Sequence, residues 1–127
     1  MDDIFYLSPF KLETDSVCKV FQNVDGICVK DFRSSDTIQI YTETQIINMT
    51  LMGVFEFYEA SQEFIQTHKI ASIVCISHHK SYIQETLELA KLLLDRWSGW
   101  IGNDSDGFLP IFDTTNILSF SYFEEGQ

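Results

Sequence analysis

The chain has 127 residues, of which 45% are hydrophobic, and this predicts one domain over residues 1–127 that folds around its own core. Its 19 acidic and 8 basic residues give a formal net charge of −11, which argues against binding to nucleic acids or to anionic membranes. The charge is compatible with a basic protein partner, and equally with an acidic surface that only keeps the protein in solution. No apolar run approaches the ~20 residues that span a bilayer.

The three cysteines, Cys18, Cys28 and Cys75, have no spacing that is typical of a metal site or a redox motif. Their odd number and the acidic start of the chain predict a reducing compartment, and hence a cytoplasmic protein. A Cys18–Cys28 disulfide stays open as an alternative. No metal site and no cofactor are expected.

The first half of the chain predicts five elements. Residues 4–7 predict a strand, and Thr14 or Asp15 can cap a short helix after it. The alternating segments 27–32 and 37–41 predict a β-hairpin. A further strand is expected within 46–54, where neither the helical nor the strand period fits cleanly.

The second half contains the strongest signals. Residues 57–67 predict a helix whose inner face would hold Phe57, Ala60, Phe64 and Ile65. The continuous apolar run 70–76 predicts a strand that is covered on both faces. After it, Ser81 predicts the N-cap of a long amphipathic helix, with Gln84 as its capping-box partner, and Gly99 predicts its end.

Residues 117–123 alternate between apolar and polar side chains and predict a last strand. Together these elements predict an α+β fold: a mostly antiparallel sheet with two or three helices packed chiefly on one face. The segment 57–123 also fits the helix-strand-helix-strand part of a split βαβ arrangement.

His78 and His79 follow the apolar run, at the end of a strand where α/β proteins often place ligands. They are the candidates for a general base or a metal ligand in a small enzyme or ligand-binding domain. Adjacent residues point apart, however, and the spacing offers no third ligand other than His68. Polar loop residues at a sheet edge are the alternative interpretation.

Residues 104–107, Asp-Ser-Asp-Gly, partly match the calcium loop of an EF-hand. With Gly107 at the sixth position, Gly102 falls at the first, which requires a carboxylate, and Asp113 at the twelfth, which normally requires Glu. The pattern therefore favours an acidic polar loop over a calcium site.

Residues 92–108 read LLLDRWSGWIGNDSDGF, a long helix that ends in a Gly-Trp-Ile step and an acidic loop. This stretch resembles small acidic immunity proteins of bacterial polymorphic toxin systems, including contact-dependent inhibition systems. Ser98 stands where many such families have the first of two glycines. The resemblance implies a cytoplasmic protein that binds and neutralises a toxin domain, often a nuclease, and that has no catalysis of its own.

An acidic inhibitor would meet the basic substrate cleft of a nuclease with fast, electrostatically steered association. The acidic side chains that could form such a contact lie on two predicted helices and one loop. They are Glu56, Glu59, Glu63, Glu85, Glu88, Asp104 and Asp106. Plain solvated surface is the alternative for each, and the high aromatic content leaves a structural subunit of a larger assembly as a third hypothesis.

Overall fold

The computed structural model describes residues 1–123, which form a six-stranded sheet with three α-helices. All neighbouring strands are antiparallel, in the order β2-β3-β4-β5-β1-β6. This is the α+β fold that the sequence predicts. The elements in chain order are β1 (Asp2–Ser8), α1 (Thr14–Phe21), β2 (Cys28–Phe32), β3 (Thr37–Tyr41), β4 (Ile46–Met52), α2 (Glu59–Thr67), β5 (Ser72–His78), α3 (Ile83–Trp97) and β6 (Trp100–Asn103).

The sheet has a hydrophobic core on each face, because successive side chains of a strand point to opposite faces. On β1, Ile4 and Tyr6 pack into the core beneath α1 and α3, whereas Phe5 and Leu7 pack into the core beneath α2. Two of the three helices therefore lie on one face and the third on the other. Ala60, predicted on the inner face of α2, is exposed, and Ser61 is buried instead.

β5 is a central strand covered on both faces, as its continuous apolar sequence predicts. Val74 and Ile76 belong to one core, and Ile73 and the half-buried Cys75 to the other. The strand runs two residues beyond the predicted end, because the backbone of 77–78 still pairs with β1. The three cysteines are free.

β5, α3 and β6 form a split βαβ unit. β5 and β6 are parallel to each other, since both pair antiparallel with β1, which lies between them. Gly102 on β6 allows Phe108 to pack closely against this strand, because a Cβ atom at position 102 would lie 2.6 Å from the Cβ of Phe108. The unit brings the ends of β5 and β6 and the start of α3 to the same end of the sheet.

The start of α3 differs from the prediction. A 3₁₀ turn, Lys80–Tyr82, precedes the helix, and Ser81 lies inside this turn rather than at the N-cap. The ring of His79 caps the turn, because its Nδ1 accepts a hydrogen bond from the Ser81 N–H at 3.3 Å. At the other end, Gly99 has the positive φ of 91° expected from a glycine after the helix, and Ser98 also has a positive φ of 59°.

The predicted strand 117–123 is wrong. A 3₁₀ turn, Ile117–Ser119, begins this segment, and no strand follows within the described residues. The outer edge of β6 is already occupied, because Ile101 and Phe112 exchange two backbone hydrogen bonds of 2.7 and 2.8 Å. The segment packs its alternate side chains, Phe120 and Tyr122, against the core beneath α1 and α3 instead. Among the described helices, none is long and apolar enough to cross a membrane.

Candidate protein-binding surface

Acidic side chains converge at one end of the sheet, where β1 begins and β3, β5 and β6 end. We call this the acidic end. Three hollows of about 250, 310 and 320 Å³ lie there, and α2 and α3 both start beside them. The carboxylates that line these hollows are Asp2, Asp3, Asp25, Glu43, Glu56, Glu85, Glu88, Asp104 and Asp106.

The cations lie mostly elsewhere. Among the residues that line the three hollows, Lys80 is the one Lys or Arg, and its Nζ lies 4.9 Å from the ring centroid of Tyr122. By contrast, Lys11 and Arg33 line a hollow at the opposite end of the sheet, and Lys19 and Arg96 line a groove between α1 and α3. The excess negative charge is therefore concentrated at the acidic end.

The hollow of about 310 Å³ combines carboxylates with aromatic rings, and we call it the acidic hollow. Phe5, Phe57 and Phe108 pack edge to face beneath it, with ring centroids 5.2 to 5.7 Å apart. Its lining residues are Phe5, Glu56, Phe57, Tyr58, Ser61, Asp104, Ser105, Asp106 and Phe108. Such a hollow offers negative charge above an apolar base, which suits a cation with an apolar or planar body.

Hydrogen bonds hold both walls of the acidic hollow in place. The carboxylate of Glu56 accepts a bond of 2.5 Å from the Gly53 N–H, and the Gln62 amide donates to the carbonyls of Val54 and Phe57 at 2.5 and 3.2 Å. On the opposite wall, the Gly107 N–H donates to the Ser61 hydroxyl at 3.2 Å. The geometry of the hollow is thus largely set before any partner binds.

Two aromatic side chains in the segment before α2 are almost fully exposed. Tyr58 lines it and is 90% exposed, and Phe55, one 3₁₀ turn earlier, is 91% exposed at the edge of the hollow that contains Lys11 and Arg33. Neither residue is among the contact residues predicted from the sequence. The sequence does contain three aromatic residues within 55–58. So short a segment cannot bury all three side chains, which indicates that at least one of them is exposed.

The predicted contact residues fall into two groups. Glu56, Asp104 and Asp106 line the acidic hollow, and Glu59 follows Tyr58 as the first residue of α2. Glu63 is exposed one turn further along α2.

Glu85 and Glu88 belong to a second group, on the opposite face of the sheet, where they line a hollow with Asp25 and Glu43. Glu88 is exposed. Glu85 instead accepts hydrogen bonds from Gln45 at 2.9 Å, from Thr42 at 2.8 Å and from Thr44 at 3.1 Å. Although partial desolvation raises it, these three bonds together lower the pKa of Glu85. Its charge is therefore already partnered within the protein.

The two histidines do not share a site. His78 is buried, and its Nε2 lies 2.6 Å from the Tyr122 hydroxyl, whereas His79 is exposed and caps the turn before α3. Burial lowers the pKa of His78, against the opposing effects of the Ile76 carbonyl and of the carboxylates of Asp2 and Asp3. His79 is thus an exposed polar residue after the strand, as the polar-loop interpretation predicts, whereas His78 is a buried residue of β5, which that interpretation does not predict.

The loop at 104–107 does not enclose an ion site with Asp113. The Asp113 carboxylate accepts hydrogen bonds from the Thr115 N–H and hydroxyl at 2.8 and 2.6 Å, which lower its pKa. Asp113 thus shapes its own turn. Among residues 1–123, no group of three or more His, Cys, Asp or Glu side chains is arranged to hold a metal ion.

Comparison with protein-family models, with curated proteins and with solved structures finds no match to this chain. The resemblance to immunity proteins thus stays a prediction from the residues of 92–108.

Proposed function

We propose that the protein is a cytoplasmic immunity protein that binds and neutralises a basic toxin domain, such as a nuclease, through its acidic end. The observation that carries the proposal is the separation of charge: within the described part of the chain, nine carboxylates and one Lys line the hollows of this end. A nuclease active site is basic because it binds phosphates. An acidic surface that covers such a site attracts it and excludes its nucleic-acid substrate at the same time.

The proposed inhibition is occlusion and needs no catalysis by the immunity protein. Carboxylates take the place of the phosphates in the basic cleft of the toxin, and the rigid fold behind them keeps them in position. Opposite charges at this density accelerate association, and salt weakens that acceleration.

The test begins with capture of the tagged protein's partner from a lysate of its own cells, with washes of increasing salt. We expect one basic protein domain, released by salt, whose expression alone stops the growth of a test cell and whose co-expression with this protein restores growth. Retention of no basic protein, or a captured domain whose toxicity is unchanged by co-expression, would contradict the proposal. A co-purifying small molecule would instead favour the alternative of a ligand-binding domain.

A further inference from the structure

The exposed ring of Tyr58 is unusual for a residue held in so fixed a position. It is 90% exposed, yet its neighbours on both sides are tied down: Glu56 to the Gly53 N–H and the Phe57 carbonyl to Gln62. A tyrosine in an interface buries about 150–250 Å² of surface. The entropy that it loses on binding is small, because only about two side-chain torsions become fixed. Because the backbone around Tyr58 is already fixed, a partner that covers it pays little further entropy.

The acidic hollow beside Tyr58 has the size and chemistry for one cationic side chain. Its volume of about 310 Å³ is at the lower limit of the ~300–1,000 Å³ range of small-molecule pockets. Asp104 and Asp106 supply the charge, Glu56 adds a carboxylate that the Gly53 N–H holds in position, and the rings of Phe57 and Phe108 form the apolar base. Among residues 1–123, no Lys or Arg lines this hollow.

We propose that the acidic hollow receives an arginine side chain from the surface of the basic partner, with the ring of Tyr58 covering the guanidinium group. The inference rests on the proposed function, because a basic protein must first be brought to this end of the sheet. It assigns the anchor of the contact to the α2 side of the molecule and not to Glu85 and Glu88.

Arginine fits better than lysine for two reasons. Its guanidinium is planar, so that it stacks on an aromatic ring, and it donates several hydrogen bonds that match a carboxylate. It is also more weakly hydrated than an ammonium group, which lowers the cost of placing it on the apolar base formed by Phe57 and Phe108. A partner that uses lysine would gain the charge attraction but not the stacking.

The experiment is an NMR titration of the ¹⁵N-labelled protein with a short peptide of alternating Arg and Gly, and with the same peptide in which citrulline replaces Arg. Citrulline keeps the shape of the side chain and removes its charge. We expect saturable shifts of the amides of 56–61 and 104–108 with the Arg peptide and none with the citrulline peptide. Tyr58→Ala should weaken binding about tenfold or more, and Asp104→Asn with Asp106→Asn should do the same.

Glu13→Gln is the matched control, because it removes one exposed carboxylate from the hollow at the opposite end of the sheet, and it should change the affinity less than about twofold. Equal binding of the citrulline peptide, unchanged binding by Tyr58→Ala, or shifts centred on Glu43 and Glu88 would overturn the inference. The titration needs no toxin, so it is separate from the test of function. If the Tyr58→Ala variant bound the toxin with wild-type affinity, the arginine anchor would be refuted and the proposed function would stand.

Discussion

Gln45 illustrates how a single buried side chain positions the acidic end. Its amide nitrogen donates to the Tyr82 carbonyl at 3.2 Å, to Glu85 at 2.9 Å and to Thr86 at 3.1 Å. Its amide oxygen accepts from the His79 N–H at 3.0 Å. One residue thus joins the β3–β4 turn to the start of α3, and all its polar atoms have partners.

Replacing Gln45 with Ala should therefore destabilise the protein by about 2 kcal/mol or more, since several buried polar groups lose their partner at once. Urea unfolding monitored by tryptophan fluorescence measures this change. Gln66→Ala is the control: Gln66 is exposed on α2, and its removal should cost less than ~0.5 kcal/mol. Equal stability of the two variants would show that the Gln45 bonds contribute nothing net.

The buried His78 should make stability depend on pH. Because its pKa is lowered in the folded protein, the unfolded chain binds the proton more readily, and stability falls as the pH drops below the unfolded pKa of about 6.5. The charged groups at this position are Asp2, Asp3, the chain's amino group and Lys80 above the ring of Tyr122.

Between about pH 7.5 and about pH 5.5, the wild type should lose up to about 1.4 kcal/mol more stability than His78→Gln, which cannot take up this proton. Thermal unfolding at the two pH values measures the difference. His79→Gln, which replaces the exposed neighbouring imidazole, is measured in parallel as the matched control. A His78→Gln variant with the same pH dependence as the wild type would contradict the assignment.

Among the elements, the final described segment depends on one side chain of β6. Asn103 is buried, and its amide nitrogen donates to the carbonyls of Pro110 and Ser121 at 2.8 and 3.1 Å. Its oxygen accepts from the Phe123 N–H at 2.8 Å. These bonds replace the strand pairing that the alternation of 117–123 predicts.

Asn103→Ala should cost about 2 kcal/mol or more, because three backbone groups lose their partner. The substitution should lower the local stability of the final segment more than that of the central sheet. Hydrogen exchange of the Phe123 amide should therefore accelerate more than that of the β5 amides. Hydrogen exchange followed by NMR measures both. Asn23→Ala, an exposed position after α1, is the control. Unchanged exchange at Phe123 in Asn103→Ala would show that other contacts hold the segment.

The elements differ in how well the sequence predicts them. β3 and the central strand follow from alternation and from continuous apolar sequence, and the long helix from its apolar stripe. β6 has four residues, with a glycine among them, so its sequence lacks a strand period. Residues 117–123 could form a strand only if an edge strand were free to pair with them. The local sequence pattern does not show this, because it depends on the tertiary structure.

The sequence likewise predicts some features of the candidate site and not others. The acidic residues are evident in the sequence, but their convergence depends on α2 and α3 both starting at the end where β6 finishes. The exposure of Tyr58 could not be predicted, because it depends on Phe57 taking the inward position over Phe108. The engagement of Glu85 depends likewise on Gln45, which is distant in sequence.

At the scale of the whole molecule, the charge separation would give the proposed basic partner a preferred face to bind. A net charge of −11 spread evenly would favour solubility without orientation. Concentrated at one end, it orients an approaching basic domain before contact, and the effect should weaken as salt shortens the screening length to ~8 Å at physiological ionic strength.

The claim that the acidic end binds the partner is tested by comparing two triple variants that have the same net charge. For each variant, the rate of association with the captured basic domain is measured at low salt, by stopped-flow or surface plasmon resonance. One variant carries Glu56→Gln, Asp104→Asn and Asp106→Asn at the acidic end. The other carries Glu13→Gln, Asp36→Asn and Asp95→Asn, which are exposed at the opposite end.

We expect the first variant to associate about tenfold more slowly than the wild type and the second to change the rate less than about twofold. High salt should reduce the difference. Equal slowing by both variants would mean that net charge alone matters, and greater slowing by the second would place the contact at the other end of the sheet.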